Sequence, residues 1–242
     1  MNILVVNDDG YDALGIKILA NALKKYGDVT VIGPDRGRSA SSHSVILHTP
    51  LEFKKRYSLN EIDFYSVSGM PCDCVRIASV LKKKYDIVFS GINNGLNLGT
   101  DIIYSGTVAA ARESLIEGMP AVAISTDFDS FDIVYDSIDD LLKYIFDNKL
   151  YSNKYVLNIN YPINKFINHN GYRLATQGIK IFNTIFELKE DGLYHVESEE
   201  ITHDTNEETD VYLANQGYIT FVPLKVEQLD INAYKTLEGK VK

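Results

Sequence analysis

The sequence predicts an α/β fold in which a doubly wound, mainly parallel sheet is followed by a β-rich C-terminal extension. Two observations predict the sheet: short apolar strands alternate with segments of helical periodicity, and polar loops follow the early strands. A third observation predicts the extension, because helical periodicity disappears after Pro162. The 242 residues suffice for one large core with an extension, and we take 1–165 and 166–242 as their bounds.

The first element is an apolar strand from Ile3 to Val6, which runs directly into the polar loop NDDG. The apolar residues that follow recur at helical spacing, so we expect a helix that ends before Gly27. The Asp-Gly pair is also typical of a hairpin turn, but a hairpin needs a second alternating strand after it. The sequence favours a strand, an acidic loop and a helix.

The same criteria predict the remaining elements of the core. Strands are expected at 29–32, 45–56, 62–69, 86–92, 120–126 and 154–162. Helices are expected at 72–85, at 107–117 and from about 136 onward. The Asn-Gly pair that follows the fourth of these strands could instead form a hairpin turn.

The extension has a different pattern. Residues 172–221 contain short β-like pieces and no predicted helix. A last buried strand is predicted at 217–224. The acidic segment 197–210 favours a solvated loop over a second metal site, because runs of like charge usually stay exposed. The polar tail after Lys225 is expected to hold a short helix.

Composition excludes several classes of protein. A formal net charge of −9 argues against a nucleic-acid polymer as partner, because such binding needs a basic surface. No apolar run approaches a membrane span, and the first residues have no signal-peptide pattern. Cys72 and Cys74 lie too close for a disulfide framework and are too few for a zinc site, so we expect reduced thiols and a cytoplasmic location.

Polar side chains follow several strands of the predicted sheet. In a doubly wound sheet the carboxyl ends of parallel strands share one edge, so these side chains can converge although they are distant in sequence. The candidates are Asp8, Asp9, Ser39, Asn93 and Ser105. Their oxygen ligands favour Mg²⁺, Mn²⁺ or Ca²⁺ over zinc or copper. For the two aspartates, the alternative is simple capping of the following helix.

The segment YSGTVAAA predicts a helix N-terminus with Ser105, Gly106 and Thr107 in its first turn. Free backbone N–H groups and the helix dipole make such a turn an anion site. A plain N-cap explains Ser105 or Thr107 equally well.

The loop after the second strand adds three candidates. Arg36 and Arg38 suit a phosphate group through their planar donors, and a surface salt bridge explains either one equally well. His43 in the same loop could transfer a proton or cap a turn, and the capping role is slightly favoured.

Five segments in order, ILVVNDDG, GPDRGRSA, SGMPCDCV, SGINNGLNLG and YSGTVAAA, closely resemble the SurE (survival protein E) family of metal-dependent nucleotidases. The resemblance is dense over about the first 125 residues and returns in NINYP and TDVYLANQGYITFVPL. It implies a Rossmann-like core and a β extension that exchanges between subunits of a homodimer, with homotetramers in some members.

The resemblance also implies roles for individual residues. The metal ligands fall on Asp8, Asp9, Ser39 and Asn93. The contacts to the substrate phosphate fall on Asn97, Ser105, Gly106 and Thr107. Two departures from the family pattern are visible: Leu96 stands where proline is usual, and Ala40 stands where glycine is usual. Neither departure removes a ligand, so we expect activity to survive and substrate preference to be affected.

The hypothesis is therefore hydrolysis of nucleoside 5′-monophosphates with one Mg²⁺ or Mn²⁺ per subunit, extending to 3′-monophosphates and short polyphosphate. Asp8 and Asp9 are the catalytic carboxylates, and Asp9 is the candidate acceptor of the proton from water. The alternative is a receiver-type or nucleotide-binding regulatory module with a divalent metal site. A receiver needs a phosphoacceptor aspartate at a later strand end, where this sequence has Ser90. A dehalogenase-like phosphatase needs two aspartates separated by one residue, and here they are adjacent.

Overall fold

The computed structural model describes residues 1–201 and 204–241. Part of the acidic segment 197–210, including His203, and the last residue of the predicted extension lie outside these described residues. The strands are β1 (Asn2–Val6), β2 (Asp28–Pro34), β3 (Phe53–Leu59), β4 (Ile62–Val67), β5 (Ile87–Asn94), β6 (Ala121–Thr126), β7 (Val156–Asn160), β8 (Tyr172–Leu174), β9 (Phe182–Leu188), β10 (Tyr194–Glu200) and β11 (Ile219–Leu224). The helices are α1 (Leu14–Leu23), α2 (Pro71–Val80), α3 (Gly106–Ile116), α4 (Asp132–Asp147), α5 (Asp210–Asn215) and α6 (Ile231–Leu237).

Nine of these strands form one sheet in the order β3-β4-β2-β1-β5-β6-β7-β11-β8. All neighbouring pairs are parallel except β3–β4 and β7–β11, which confirms the predicted mainly parallel sheet. The chain passes from β1 to β2 on one side and later returns to the other side of β1 with β5. The edge between β1 and β5 is therefore the switch point at which open α/β sheets form a ligand crevice.

Helices cover both faces of the sheet, as expected for a doubly wound fold. In β1, Ile3 and Val5 pack on the face covered by α1 and α4, while Leu4 and Val6 pack on the face covered by α2 and α3. Because both faces are buried, the strand reads as a continuous apolar run and does not alternate with polar residues. The polar residues that follow it therefore mark its carboxyl end.

Some strands and helices begin or end at residues other than those predicted. The strand expected at 45–56 begins only at Phe53, because Pro50 has no N–H for a sheet hydrogen bond and the Ile46 N–H bonds the Asp73 carboxylate at 3.1 Å. Helix α1 ends at Leu23 and continues as the 3₁₀ turn Lys24–Tyr26. Helix α4 begins at Asp132, four residues before its predicted start.

The extension contains a helix that was not predicted. Helix α5 lies inside the segment 172–221, where only β pieces were expected, and the Thr209 hydroxyl caps it by accepting the Tyr212 N–H at 3.2 Å. Six residues are too few to display a helical period. The predicted last strand and the tail helix are confirmed as β11 and α6.

The extension returns two strands, β8 and β11, to the main sheet, while β9 and β10 form a separate antiparallel hairpin. Every residue of the two hairpin strands is exposed, including large apolar side chains. In the described part of the chain, none of the helices combines the length and apolar character needed to span a membrane.

Candidate active site

The loop after β1 is a tight turn held by its own first residue. The buried Asn7 side chain donates to the Gly10 carbonyl at 2.8 Å and accepts the Gly10 N–H at 3.2 Å. The Arg38 backbone N–H donates to the Asp8 carbonyl at 2.7 Å, which ties this turn to the loop after β2. The alternative role for Asp8 and Asp9, capping of α1, is not observed, since the N-cap of α1 is Ala13 and has no side-chain cap.

Asp8 is a nearly buried carboxylate, with 4% of the residue exposed. The Thr107 hydroxyl at the start of α3 donates to Asp8 Oδ1 at 2.5 Å. Burial raises the pKa of Asp8 to about 6, and the neighbouring charge of Asp9 acts in the same direction. Asp8 therefore sits where its ionised form needs a compensating positive charge.

Asp9 is half-buried, and burial raises its pKa as well. Its Oδ2 accepts the backbone N–H of Asn94 at 3.1 Å, which joins the ends of β1 and β5. Among the side chains that the structure describes, no lysine or arginine forms an ion pair with either Asp8 or Asp9. Two adjacent carboxylates without a cationic partner fit a bound divalent cation.

The other predicted ligands complete an oxygen donor set. Asn93 Nδ2 donates to the Gly95 carbonyl at 2.7 Å, and this orientation leaves the amide oxygen of Asn93 for a cation. Ser39 lines the same cavity as Asp8 and Asn93. Carboxylate, amide and hydroxyl oxygens are the ligands that Mg²⁺ and Mn²⁺ prefer, so these residues fit the predicted metal.

Asn97 is held by a buried polar network. Its N–H donates to Asn160 Oδ1 at 2.8 Å, and its carbonyl accepts from the amides of Asn158 and Asn160 at 3.0 Å each. Its Nδ2 donates one hydrogen to Ser125 Oγ at 2.7 Å. The second hydrogen of this amide remains for an oxygen atom in the cavity that Asn97 lines.

The N-terminus of α3 reaches the loop after β1. Ser105 is its N-cap, and its hydroxyl accepts the Val108 N–H at 3.0 Å. A Cβ on Gly106 would lie 2.8 Å from Asp8 Cβ and 2.7 Å from Ser41 Oγ, so only glycine allows this approach. The capping role of Ser105 is thus observed, and it leaves the backbone N–H groups of this turn available to an anion.

A cavity of about 700 Å³ connects these groups. Of the predicted site residues, the cavity is lined by Asp8, Ser39, Asn93, Asn97 and Ser105. Asp9, Gly106 and Thr107 are not part of this described lining, but Thr107 and Gly106 contact Asp8 and Asp9 follows it in the chain. The structure therefore brings the predicted residues together at one edge, with the Thr107 hydroxyl engaged by Asp8.

The other candidates from the second loop do not join this group. Arg38 pairs with Asp35 at 3.3 Å, and Arg36 is exposed. His43 Nε2 lies 2.7 Å from Glu113 Oε2, and His43 does not line the cavity that contains Asp8. Ala40 adopts a left-handed conformation with φ of 53°, which is strained for a residue with a Cβ.

Sequence reasoning missed four residues that support the site. Asn158, Asn160 and Ser125 are fully buried, and each forms a hydrogen bond with Asn97 that helps to orient it. A polar residue inside an apolar strand is the signal that could have identified them, as in VLNIN. Ser41 has a buried hydroxyl without a hydrogen-bond partner among the described residues, next to Gly106.

Comparison with known proteins relates the whole chain to one family. The family described as "Survival protein SurE" matches residues 3–184. The chain is 40% identical to a 5′-nucleotidase SurE of Clostridium botulinum (strain Kyoto / Type A2) over 98% of both chains. It is 39% identical to a 5′-nucleotidase SurE of Caldanaerobacter subterraneus subsp. tengcongensis over 98% of this chain and 96% of that one.

A solved structure agrees with these sequences. The crystal structure of the SurE protein from Aquifex aeolicus superposes with a TM-score of 0.82 at 33% identity, and the match covers 98% of each chain. The similarity thus includes both the parallel core and the β-rich extension.

Proposed function

The chain belongs to the SurE family, and on that premise we propose that it is a divalent-metal-dependent 5′-nucleotidase that hydrolyses nucleoside 5′-monophosphates to nucleoside and phosphate. One observation carries the proposal: two adjacent aspartates with raised pKa values lie beside the N-terminus of α3, which begins at Gly106, at the switch point of the sheet. This arrangement offers a cation site beside an anion site, as a phosphate ester requires.

Metal dependence is supported by the oxygen donors of Asp8, Asp9, Ser39 and Asn93. When bound there, a Mg²⁺ or Mn²⁺ ion supplies Lewis-acid polarisation of a phosphoryl oxygen and activation of water. Asp9 accepts the proton of the attacking water, a role that suits a carboxylate whose pKa is raised by burial. Water attacks phosphorus, the bond to the nucleoside oxygen breaks, and solvent protonates the leaving oxygen.

The phosphoryl oxygens bind to the second hydrogen of the Asn97 amide and to the backbone N–H groups at Gly106 and Thr107. These donors are fixed before substrate arrives, so they stabilise charge that develops in the transition state without reorganising. The buried network behind Asn97 supports this role.

A nucleoside rather than a bare phosphate fits the rest of the cavity. The rings of Tyr104 and Phe128 line it and are 59% and 68% exposed, so they offer faces on which a base can stack. Substrates with the phosphate at the 3′ position, and short polyphosphate, are included in the proposal. The free cysteines suit a reducing compartment, and we place the protein in the cytoplasm.

The test is phosphate release from 5′- and 3′-monophosphates of each base and from short polyphosphate, with Mg²⁺, Mn²⁺, Ca²⁺ or chelator. We expect many turnovers per chain with metal and none with chelator. A single modification per chain, without turnover, would instead support the receiver-type alternative.

Asp9→Asn tests the carboxylate pair, and Asp12→Asn is its control because Asp12 is an exposed carboxylate paired with Lys17. We expect Asp9→Asn to lose nearly all activity while the metal-free protein keeps or gains thermal stability. Added Mn²⁺, which stabilises the wild type by roughly 2.7 kcal/mol at a hundredfold excess over Kd, should then have little effect. If the mutant unfolds without metal and keeps its Mn²⁺ shift, Asp9 is a structural residue and the assignment fails.

A further inference from the structure

Three metal-ligating side chains meet at a second place, away from the carboxylate pair. His43 comes from the loop after β2, Cys72 from the first turn of α2, and Glu113 from the middle of α3. One donor atom from each lies within 4.8 Å of the other two. Glu113 follows Thr107 by six residues on α3, which places the two groups roughly 9 Å apart along the helix.

The two inner donors are shielded from solvent and the third is at the rim. Cys72 is fully buried, Glu113 is 8% exposed, and the His43 side chain is 35% exposed. A cation could therefore enter past His43 and reach a sulfur and a carboxylate inside. Burial of a divalent cation there is compensated, because a thiolate and a carboxylate together carry two negative charges.

Neighbouring groups hold these side chains in place. Arg76 Nε lies 3.8 Å from Glu113 Oε1, so the other carboxylate oxygen, Oε2, is the one that faces His43 Nε2 at 2.7 Å. The loop that carries His43 is anchored on both sides: the Ser42 N–H donates to the Tyr104 carbonyl at 2.9 Å, and the loop continues to the bond between Ile46 and Asp73. Fixed ligands with oriented outer partners are typical of metal sites.

We propose that His43, Cys72 and Glu113 form a second divalent-cation site, which takes Zn²⁺ and is independent of the nucleotidase site. Nitrogen, sulfur and oxygen donors in one cluster select zinc over Mg²⁺ or Mn²⁺. Zinc bonds of about 2.0–2.3 Å require donors that are now up to 4.8 Å apart to move together by only about 1.3 Å. Water occupies the fourth position.

Zinc binding changes the state of the cluster. Burial, with the charges of Glu113 and Asp73, raises the pKa of the Cys72 thiol to about 12, so the thiol is protonated without metal and binding releases its proton to solvent. The hydrogen bond between His43 and Glu113 opens as both turn to the cation. The site then joins the loop that carries Ser39 to α2 and α3.

Co²⁺ is the probe, because a cobalt–thiolate bond has a charge-transfer absorption in the near ultraviolet that oxygen ligands do not produce. The chain offers a matched pair of variants, since Cys74 is also buried but is not part of the cluster. We expect the absorption in wild type, in Cys74→Ser and in Asp9→Asn, and its loss in Cys72→Ser. Zn²⁺ should displace the Co²⁺ with one equivalent per chain.

The proposal is overturned if wild type shows no thiolate absorption, or if Cys72→Ser retains it. Co²⁺ binding that shows no thiolate absorption and is abolished in Asp9→Asn would assign all metal binding to the carboxylate pair. If Cys72→Ser does not fold, His43→Gln at the rim decides: its Co²⁺ affinity should fall at least about tenfold, and unchanged affinity contradicts the site. Because absorption and stoichiometry are read without substrate, failure here is distinct from failure of the nucleotidase assay.

Discussion

At the scale of single residues, the environment of Asp8 has the clearest consequence for the pH dependence of stability. Its carboxyl is buried beside a second carboxyl, and its pKa of about 6 in the folded state exceeds the ordinary value of 3.8. The native state therefore holds the proton to higher pH than the unfolded chain does. The contribution of Asp8 to stability is present below about pH 4 and is lost as the pH rises through about 6.

This sign gives a prediction for the metal-free protein. Ionised Asp8 should destabilise the fold by up to roughly 3 kcal/mol above pH 6, and Asp8→Asn should remove that cost. The measurement is denaturant unfolding of wild type and Asp8→Asn with chelator, from about pH 4 to pH 8. The stability difference between them should grow in favour of the mutant across this range, and parallel curves would show that Asp8 is not strained.

Thr107 gives a second prediction at this scale. Its hydroxyl donates to Asp8 Oδ1, so it orients a candidate ligand, and outer partners of this kind typically affect metal affinity or activity 10–100-fold. Thr107→Val keeps the shape and removes the hydroxyl, whereas Thr107→Ser keeps the hydroxyl. We expect Mn²⁺ affinity and turnover to fall about 10–100-fold in the valine variant and to stay near wild type in the serine variant.

Calorimetric titration with Mn²⁺ and steady-state kinetics separate the possible roles of Thr107. A loss in the serine variant without a loss in the valine variant would mean that the methyl group, and hence packing, is what matters. A loss of turnover without a loss of Mn²⁺ affinity would place Thr107 on the substrate phosphate rather than behind Asp8.

At the scale of elements, the approach of α3 to β1 shapes the site. The first turn of α3 lies so close to Asp8 and Ser41 that Gly106 has no room for a side chain. Glycine is thus required here by contact and not by backbone angle, since Gly106 has no positive φ. The same contact places free N–H groups of the helix beside the carboxylates.

Gly106→Ala should therefore displace Asp8 and lower kcat/KM by roughly 10²-fold, the scale of a misplacement near 1 Å. Gly37→Ala is the matched control in a neighbouring loop, because its Cβ would meet only the Asp9 carbonyl at 3.8 Å. The control should keep activity near wild type. Circular dichroism confirms that both variants fold, and equal kinetics in the two would contradict the close-approach argument.

At the scale of the whole molecule, the β9–β10 hairpin has no core of its own in one chain. A two-stranded hairpin is marginally stable alone, and a large exposed apolar surface usually marks an interface. Exposed apolar residues of the hairpin and its flanks include Ile179, Ile185, Phe186, Leu188, Leu193, Tyr194 and Val196. We therefore predict that the hairpin pairs with a second copy of this chain in a two-fold dimer.

The dimer is tested by light scattering at micromolar concentration. Phe186→Lys should give monomers with a lower melting temperature, while Val80→Lys, a change at an exposed apolar residue of α2, should remain dimeric. A monomeric wild type with full activity would overturn the prediction. A mass of four chains would instead indicate a homotetramer, which the family resemblance implies for some members.

The base of the hairpin is connected to the cavity. Lys180 pairs with Asp101 at 2.7 Å and with Glu200 at 3.0 Å, and all three line the cavity with the site residues. Thr100 also bonds the Lys180 carbonyl at 2.6 Å. Pairing of the hairpin with another subunit would thus act on the wall that the nucleoside is proposed to contact.

The sequence by itself determined the parallel core and the edge of the sheet at which the candidate site residues converge. A buried strand such as β1 is recognisable from a continuous apolar run, and α1 from its period, because both patterns are local. Since parallel strands share a carboxyl edge, Asp8 and Asn93 could be predicted to converge before any contact was known. Helix α5 was missed because six residues do not display a period.

Only the tertiary structure decided which side chains meet. The sequence does not indicate which acceptor the Thr107 hydroxyl bonds. In the folded chain this hydroxyl donates to Asp8, because the N-terminus of α3 lies beside the loop after β1. Asn160 and Ser125 orient Asn97 because β5, β6 and β7 are neighbours in the sheet, and Cys72 meets Glu113 because α2 packs beside α3. Local patterns specify elements, whereas partners distant in sequence depend on strand order and helix packing, which no local pattern encodes.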